Sequence, residues 1–345
     1  MVRQFFVENP YLIVDSKLSE GPVYVPEANQ LYCVDILNND IIRANVPPTE
    51  VRQLQPAEGA EGAGSEYIEE YGPASAEAAG VRRFHFNHPI GVIARTTDPH
   101  TFVLGAKLGP AVVDFAALDA DQQVRAAAEE VVKIPYKSYM YPDSAHLREL
   151  MRLNDGNVDP QGRFWAGTMI QDIDNHESER IGALFRFAPG TLEPTAVLEG
   201  CAIPNGLLWT KDGTQAYFAD SIKETVVRYD YDAEAGTLAN PVEIVRISGG
   251  PRPDGLTLAS NGDLFLAVWG AGCVNRYTAD GELIEQYHFP AKFTNCPVFG
   301  GPEHSDLFVT TANKPNGQPQ GTQAGQIFRI RIPGLTGPVY NKVPL

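Results

Sequence analysis

Four segments of this chain share one local grammar and recur at nearly even spacing. They are Leu153-Asn154-Asp155-Gly156, Pro204-Asn205-Gly206, Pro253-Asp254-Gly255 and Thr294-Asn295-Cys296, and their Asn or Asp positions lie 51, 49 and 41 residues apart. After each of the first three comes a short apolar run and then a glycine turn: Pro160-Gln161-Gly162, Lys211-Asp212-Gly213 and Ser260-Asn261-Gly262. Alternating runs follow, such as residues 216–219 and 225–229, or 264–268 and 273–277. Asp-Gly and Asn-Gly between alternating apolar runs are hairpin signals. A period of 40–50 residues with about four strands per repeat is the signature of a β-propeller. Earlier repeats begin at Ser19-Glu20-Gly21-Pro22 and at His88-Pro89-Ile90-Gly91. The expectation is an all-β, six-bladed propeller of four-stranded antiparallel blades, a single domain over residues 1–345.

Two insertions interrupt the repeat. Residues 52–80 are rich in Glu, Ala and Gly and read as a solvated loop. Residues 119–151 read as a lid: helical turns across 121–132, then the aromatic loop Tyr136-Lys137-Ser138-Tyr139-Met140-Tyr141-Pro142. Asp143 or Ser144 then caps a short helix running into Arg152. The aromatics of this loop read more readily as packing than as a binding surface.

Composition narrows the partners. The 32 Gly and 27 Pro suit a protein of many turns. A net charge of −16 argues against nucleic acid and against an anionic membrane. No stretch is long and apolar enough to span a bilayer, and the N-terminus has no secretory pattern. Four scattered cysteines without CxxC spacing read as reduced thiols. A cytoplasmic, soluble protein is expected, monomeric or weakly dimeric for want of a long apolar stripe. Seven histidines without HxH or HExxH spacing, and no GxSxG, argue against a zinc peptidase or a serine hydrolase.

In a propeller the same position of successive blades points at one axis. Glu20, Asn154, Asn205 and Asp254 hold that position, so four oxygen-bearing side chains converge from distant parts of the sequence. Any one of them before glycine is an ordinary turn former. As a set, two carboxylates and two carboxamides suit a hard divalent cation at the centre of the ring.

The chain resembles the senescence-marker-protein/gluconolactonase (regucalcin-like) family of six-bladed lactonases. The resemblance rests on Glu20-Gly21-Pro22, the block 152–169, Pro204-Asn205-Gly206, Arg252-Pro253-Asp254-Gly255, and Thr294-Asn295-Cys296 with Phe299-Gly300-Gly301. It implies that Glu20, Asn205 and Asp254 bind the metal and that Asn154 binds metal or substrate. It also implies that Arg152 contacts substrate and that Asp254 acts as base or water-orienting group. A substrate-binding Glu often follows the family's Gly-Thr-Met motif; here Asp172 stands in that neighbourhood, one methylene shorter.

The function expected is a metal-dependent hydrolase that opens a small lactone of the sugar type. Ca²⁺ is the first choice of ion, with Zn²⁺, Mg²⁺ or Mn²⁺ as alternatives. The ion polarises the carbonyl while an activated water attacks. Three other readings share the site: a phosphotriester hydrolase, a biosynthetic ring-forming or isomerising enzyme, and a non-catalytic calcium-binding propeller.

Overall fold

The computed structural model describes residues 2–59, 64–121, 131–173, 176, 179–313, 317–321 and 323–345. Its strands form six sheets around one axis, a six-bladed β-propeller. Blade one joins Ser19–Val25, Gln30–Asp35, Asp40–Asn45 and Arg82–His85, and blade two joins Ile90–Arg95, Thr101–Ala106 and Gly109–Asp114. Blade three holds Met151–Val158, Phe164–Ile170, Gly182–Phe187 and Pro194–Cys201. Blade four holds Pro204–Trp209, Gln215–Asp220, Thr225–Asp232 and Thr237–Arg246. Blade five runs Arg252–Leu258, Leu264–Trp269, Cys273–Tyr277 and Leu283–His288, with Arg3–Phe6 added in parallel at its outer edge. Blade six runs Phe293–Gly300, Asp306–Ala312 and Ile327–Arg331, then Ile68–Tyr71 and Val51–Leu54. The first strand of each blade packs beside those of its two neighbours, closing a ring.

Each sheet buries both faces, so its strands read as nearly continuous apolar runs. Leu207 enters the core between blades three and four, while adjacent Leu208 enters the one between blades four and five. Phe164 and Trp165 divide in the same way between the cores on either side of blade three. Six such clusters lie between the six pairs of neighbouring blades.

The uniform four-strand blade is corrected by this structure. Blade two has three strands and blades five and six have five, because ring closure recruits distant segments. The stretch 52–80 is not simply a solvated loop: it supplies two outer strands of blade six. Its charge disguised it. Glu70 is buried yet satisfied, accepting from Glu8 N, Asn9 N and Arg52, while Ile68 and Tyr71 enter the core.

In the second insertion, residues 122–130 lie outside the described residues. Beyond them, Val132 and Tyr136 make single bridges to blades one and two. Ser144 caps the helix Ala145–Leu150 by accepting from Leu147 N. The aromatic loop packs onto blades two and three. Tyr136 Oη lies 2.8 Å from His88 Nδ1, Tyr141 Oη lies 2.8 Å from Thr168 Oγ1, and Met140 is buried. Among the described residues no helix is long and apolar enough to cross a membrane. All four cysteines are buried free thiols.

The last residues cross the far end of the central channel as a strap. Ser260 N donates to Thr336 O and Gly337 N to His304 O on the side of blades five and six. Val343 pairs with Arg95 and Thr97 of blade two, Asn341 Nδ2 donates to Val158 O, and Lys342 meets Glu27 at 3.0 Å. Between this strap and the middle of the inner strands lies a cavity of about 560 Å³.

Candidate functional site

Every inner strand carries a bulge near its start. Pairing with the second strand skips between Glu20 and Val23, Ile90 and Val92, Leu153 and Gly156, Asn205 and Leu207, Pro253 and Leu256, and Thr294 and Cys296. A bulge breaks the ladder locally and re-aims the side chain of the extra residue. Six bulges at one level collect these side chains around the axis. Asn205-Gly206 and Asp254-Gly255 therefore lie inside strands, not in turns. Their glycines answer to crowding: a Cβ on Gly206 would lie 2.7 Å from Asp254 O, and one on Gly255 only 2.5 Å from Cys296 Sγ.

Arg152, Asn154 and Asn205 form one hydrogen-bonded row. Arg152 Nη1 donates to Asn154 Oδ1 at 2.7 Å and to Leu153 O at 3.1 Å. Asn154 Nδ2 donates to Asn205 Oδ1 and to Pro204 O, both at 2.9 Å. Asn205 Nδ2 in turn donates to Ser221 Oγ at 2.8 Å. All four residues are buried.

Beside the row sits an acidic cluster. Burial, then the negative charges of Asp254 and Asp155, hold the Glu20 carboxyl well above the usual range, against the Gly21 N–H and Arg152. Asp254 is held well above its usual range by burial and by Asp155. Its Oδ1 is buried and has no hydrogen-bond partner among the described residues. Burial pushes Asp155 up to about 6, although the N–H groups of Gly156 and Gly206 favour its charged form. Arg152 is pulled down to about 10 by burial, with Glu20 opposing. Three carboxylates thus face one neighbouring guanidinium, an arrangement that a divalent cation would relieve.

The donor set fits a hard ion only if amide oxygens take part. Among the described residues, no three His, Cys, Asp or Glu side chains are grouped closely enough to hold one. Glu20, Asp254 and the Asn205 carboxamide supply oxygen donors of the right kind.

Asp155 is the residue that sequence reasoning missed. It follows Asn154 where four other repeats have glycine: Gly21 after Glu20, Gly91 after Ile90, Gly206 after Asn205, and Gly255 after Asp254. That departure was the available signal. Asp172 is exposed in the turn after Phe164–Ile170. Its neighbour Gln171 accepts from the Lys107 ammonium at 2.6 Å.

Comparison with known proteins agrees with this architecture. The chain is 35% identical over 198 residues to pentonolactonase XacC of Haloferax volcanii, covering 55% of this chain and 65% of that relative. It is 27% identical over 328 residues to regucalcin of Gallus gallus, covering 93% of each. A solved regucalcin from Agrobacterium tumefaciens shares the fold, with a TM-score of 0.78 over the full length of both chains at 22% identity. The sequence model of the SMP-30/Gluconolactonase/LRE-like region matches residues 18–313, which hold all six inner strands and their bulges, and the chain belongs to that family.

Proposed function

We propose that this protein hydrolyses lactones of the sugar type with a divalent cation held by Glu20, Asn205 and Asp254. The observation that carries the reading is the orphaned, buried Asp254 Oδ1, set among carboxylates that repel one another. A buried acceptor with no donor is costly unless something electropositive meets it. Relatives support the substrate class, one being a pentonolactonase and another a putative sugar lactone lactonase of Bacillus subtilis. The Agrobacterium regucalcin, described as a calcium-binding protein, supports Ca²⁺ as the ion.

Bound there, a divalent cation supplies Lewis-acid polarisation of the lactone carbonyl. The chain's own groups do the rest. Among the described residues Arg152 donates through Nη1 alone, leaving Nε and Nη2 for a substrate oxygen. Asn154, fixed through both ends of its amide, holds the Asn205 oxygen in place. Asp155 and Asp254 are the carboxylates that orient water and accept its proton, since burial raises the proton affinity of both. Asp172, exposed in the turn after Phe164–Ile170, is assigned to substrate with Arg152.

The test is proton release in a pH-stat on five- and six-membered sugar and aliphatic lactones, with one phosphotriester alongside. Chelated protein is compared with protein given Ca²⁺, Mg²⁺, Mn²⁺ or Zn²⁺. Turnover of a lactone that a metal restores and Asp254→Ala abolishes is the expected result. Turnover of the phosphotriester alone, or of nothing with any metal, overturns the reading.

A further inference from the structure

Glu20, Asn205 and Asp254 are each preceded by a backbone carbonyl that a side chain of the neighbouring blade holds. Asn154 of blade three donates from Nδ2 to Pro204 O at 2.9 Å. Ser221, just past the second strand of blade four, donates from Oγ to Pro253 O at 2.7 Å. Asn295 of blade six donates from Nδ2 to Ser19 O at 2.6 Å. The same device thus recurs at the three joints that lead into Glu20, Asn205 and Asp254.

The Ser221 bond has a fixed direction. Its Oγ accepts from Asn205 Nδ2 at 2.8 Å, so its one proton is left for Pro253 O. Asn205 is thereby linked through Ser221 to the peptide that carries Asp254. Ser221 is buried and Asn295 is wholly so. These bonds matter because of where they fall. A bulge residue lies outside the regular ladder, so its own sheet does not fully set its orientation. A donor from the next blade supplies the missing constraint.

We infer that Ser221 and Asn295 are positioning residues: they fix the peptides before Asp254 and Glu20 and so aim both carboxylates at one point. This rests on the reading that Glu20, Asn205 and Asp254 hold a divalent cation. Groups that orient metal ligands through hydrogen bonds typically contribute 10–100-fold to affinity.

Affinity for Ca²⁺ by competition with a chelating dye, and for Mn²⁺ by electron paramagnetic resonance, tests this on the full chain. Melting of the metal-free protein is followed in parallel. Ser221→Ala is expected to weaken both ions by about 10–100-fold, and Ser221→Thr, which keeps the hydroxyl, to stay within about threefold of wild type. Asn295→Ala should behave like Ser221→Ala; if it does not fold, the Ser221 pair decides. Thr311→Val is the structural control. It removes a buried hydroxyl bond to Gln326 O in blade six, at 2.7 Å, and should leave metal affinity unchanged. Wild-type binding with Ser221→Ala within twofold overturns the positioning roles alone, as does equal weakening in Thr311→Val. A wild-type chain that binds neither ion overturns the metal reading and these roles with it.

Discussion

Cys296 places its Sγ 2.5 Å from the point that a Cβ on Gly255 would occupy. The two residues hold matching places in adjacent blades, each directly after an Asn or Asp at its bulge. Four repeats keep that place small with glycine. Blade three carries Asp155 there and blade six carries Cys296, two blades that stand opposite each other in the ring. The Cys296 thiol is held well above its usual range by burial, then by Asp155, Glu20 and Asp254.

Gly255→Ala should therefore destabilise the fold by about 1–3 kcal/mol through overpacking. Cys296→Ala in the same chain should recover part of that loss and not all of it. The added methyl would still lie 2.7 Å from Cys296 Cβ and 2.8 Å from its Cα. Urea unfolding of the two single variants and the double variant reads the coupling.

Asp254→Asn should separate function from stability. It removes a buried carboxylate that Asp155 repels, and keeps the shape of the side chain. Lactone turnover is expected to fall by at least about 10²-fold, while the metal-free melting temperature stays level or rises. A marked fall in that melting temperature would show that Asp254 is a structural residue.

The C-terminal strap is expected to govern access to the cavity behind the acidic cluster. All six sheets are complete by Arg331, so deletion of residues 335–345 should leave the propeller folded. Tyr340 and Cys296 both line the cavity, and Tyr340 Oη accepts from Phe299 N at 2.9 Å. Removing the strap should speed maleimide labelling at Cys296 by about tenfold or more, as local opening ceases to limit it. Mass spectrometry of the labelled site, with Cys296→Ser as control, measures the change.

Glu27 should make the strap's anchorage sensitive to acid. Burial alone would raise its pKa, but hydrogen bonds from Arg95 and Lys342 outweigh that and pull it down to about 2. A carboxyl lowered on folding stabilises the native state above its unfolded pKa and ceases to do so as pH falls through the folded value. The contribution should be whole at pH 7, fade below about 4.5 and be gone near 2. Glu27 is partly exposed, so the melting temperatures of wild type and Glu27→Gln should differ by only about 3 °C or less at pH 7. They should converge near pH 2.

Much of this architecture was legible in the repeats. Pro204-Asn205-Gly206 and Pro253-Asp254-Gly255 announced equivalent strands, and equivalence in a ring brings Glu20, Asn154, Asn205 and Asp254 toward one axis. What those glycines were for was less legible, since a close approach between blades and a tight turn both select glycine. Asp155 escaped notice because it breaks the pattern that drew attention to its neighbour. Asp172 was placed by resemblance to a motif, and the structure leaves it on the surface after Ile170.

By itself the sequence determined the number of blades, the order of the inner strands and the residue types that meet at the axis. Each of those is a local property repeated at a fixed period. Only the tertiary structure decided how the ring closes, with Arg3–Phe6 in blade five, Val51–Leu54 and Ile68–Tyr71 in blade six, and the strap across the far end. The joints that close the ring, Arg3–Phe6 on Leu283–His288 and Ile68–Tyr71 on Ile327–Arg331, join segments hundreds of residues apart, and none of these pairings leaves a period in the chain. The same holds for Ser221 and Asn295, whose partners Pro253 O and Ser19 O belong to other blades. A hydrogen bond to a backbone carbonyl is indifferent to the side chain of the residue that carries it, so no sequence pattern could have announced it.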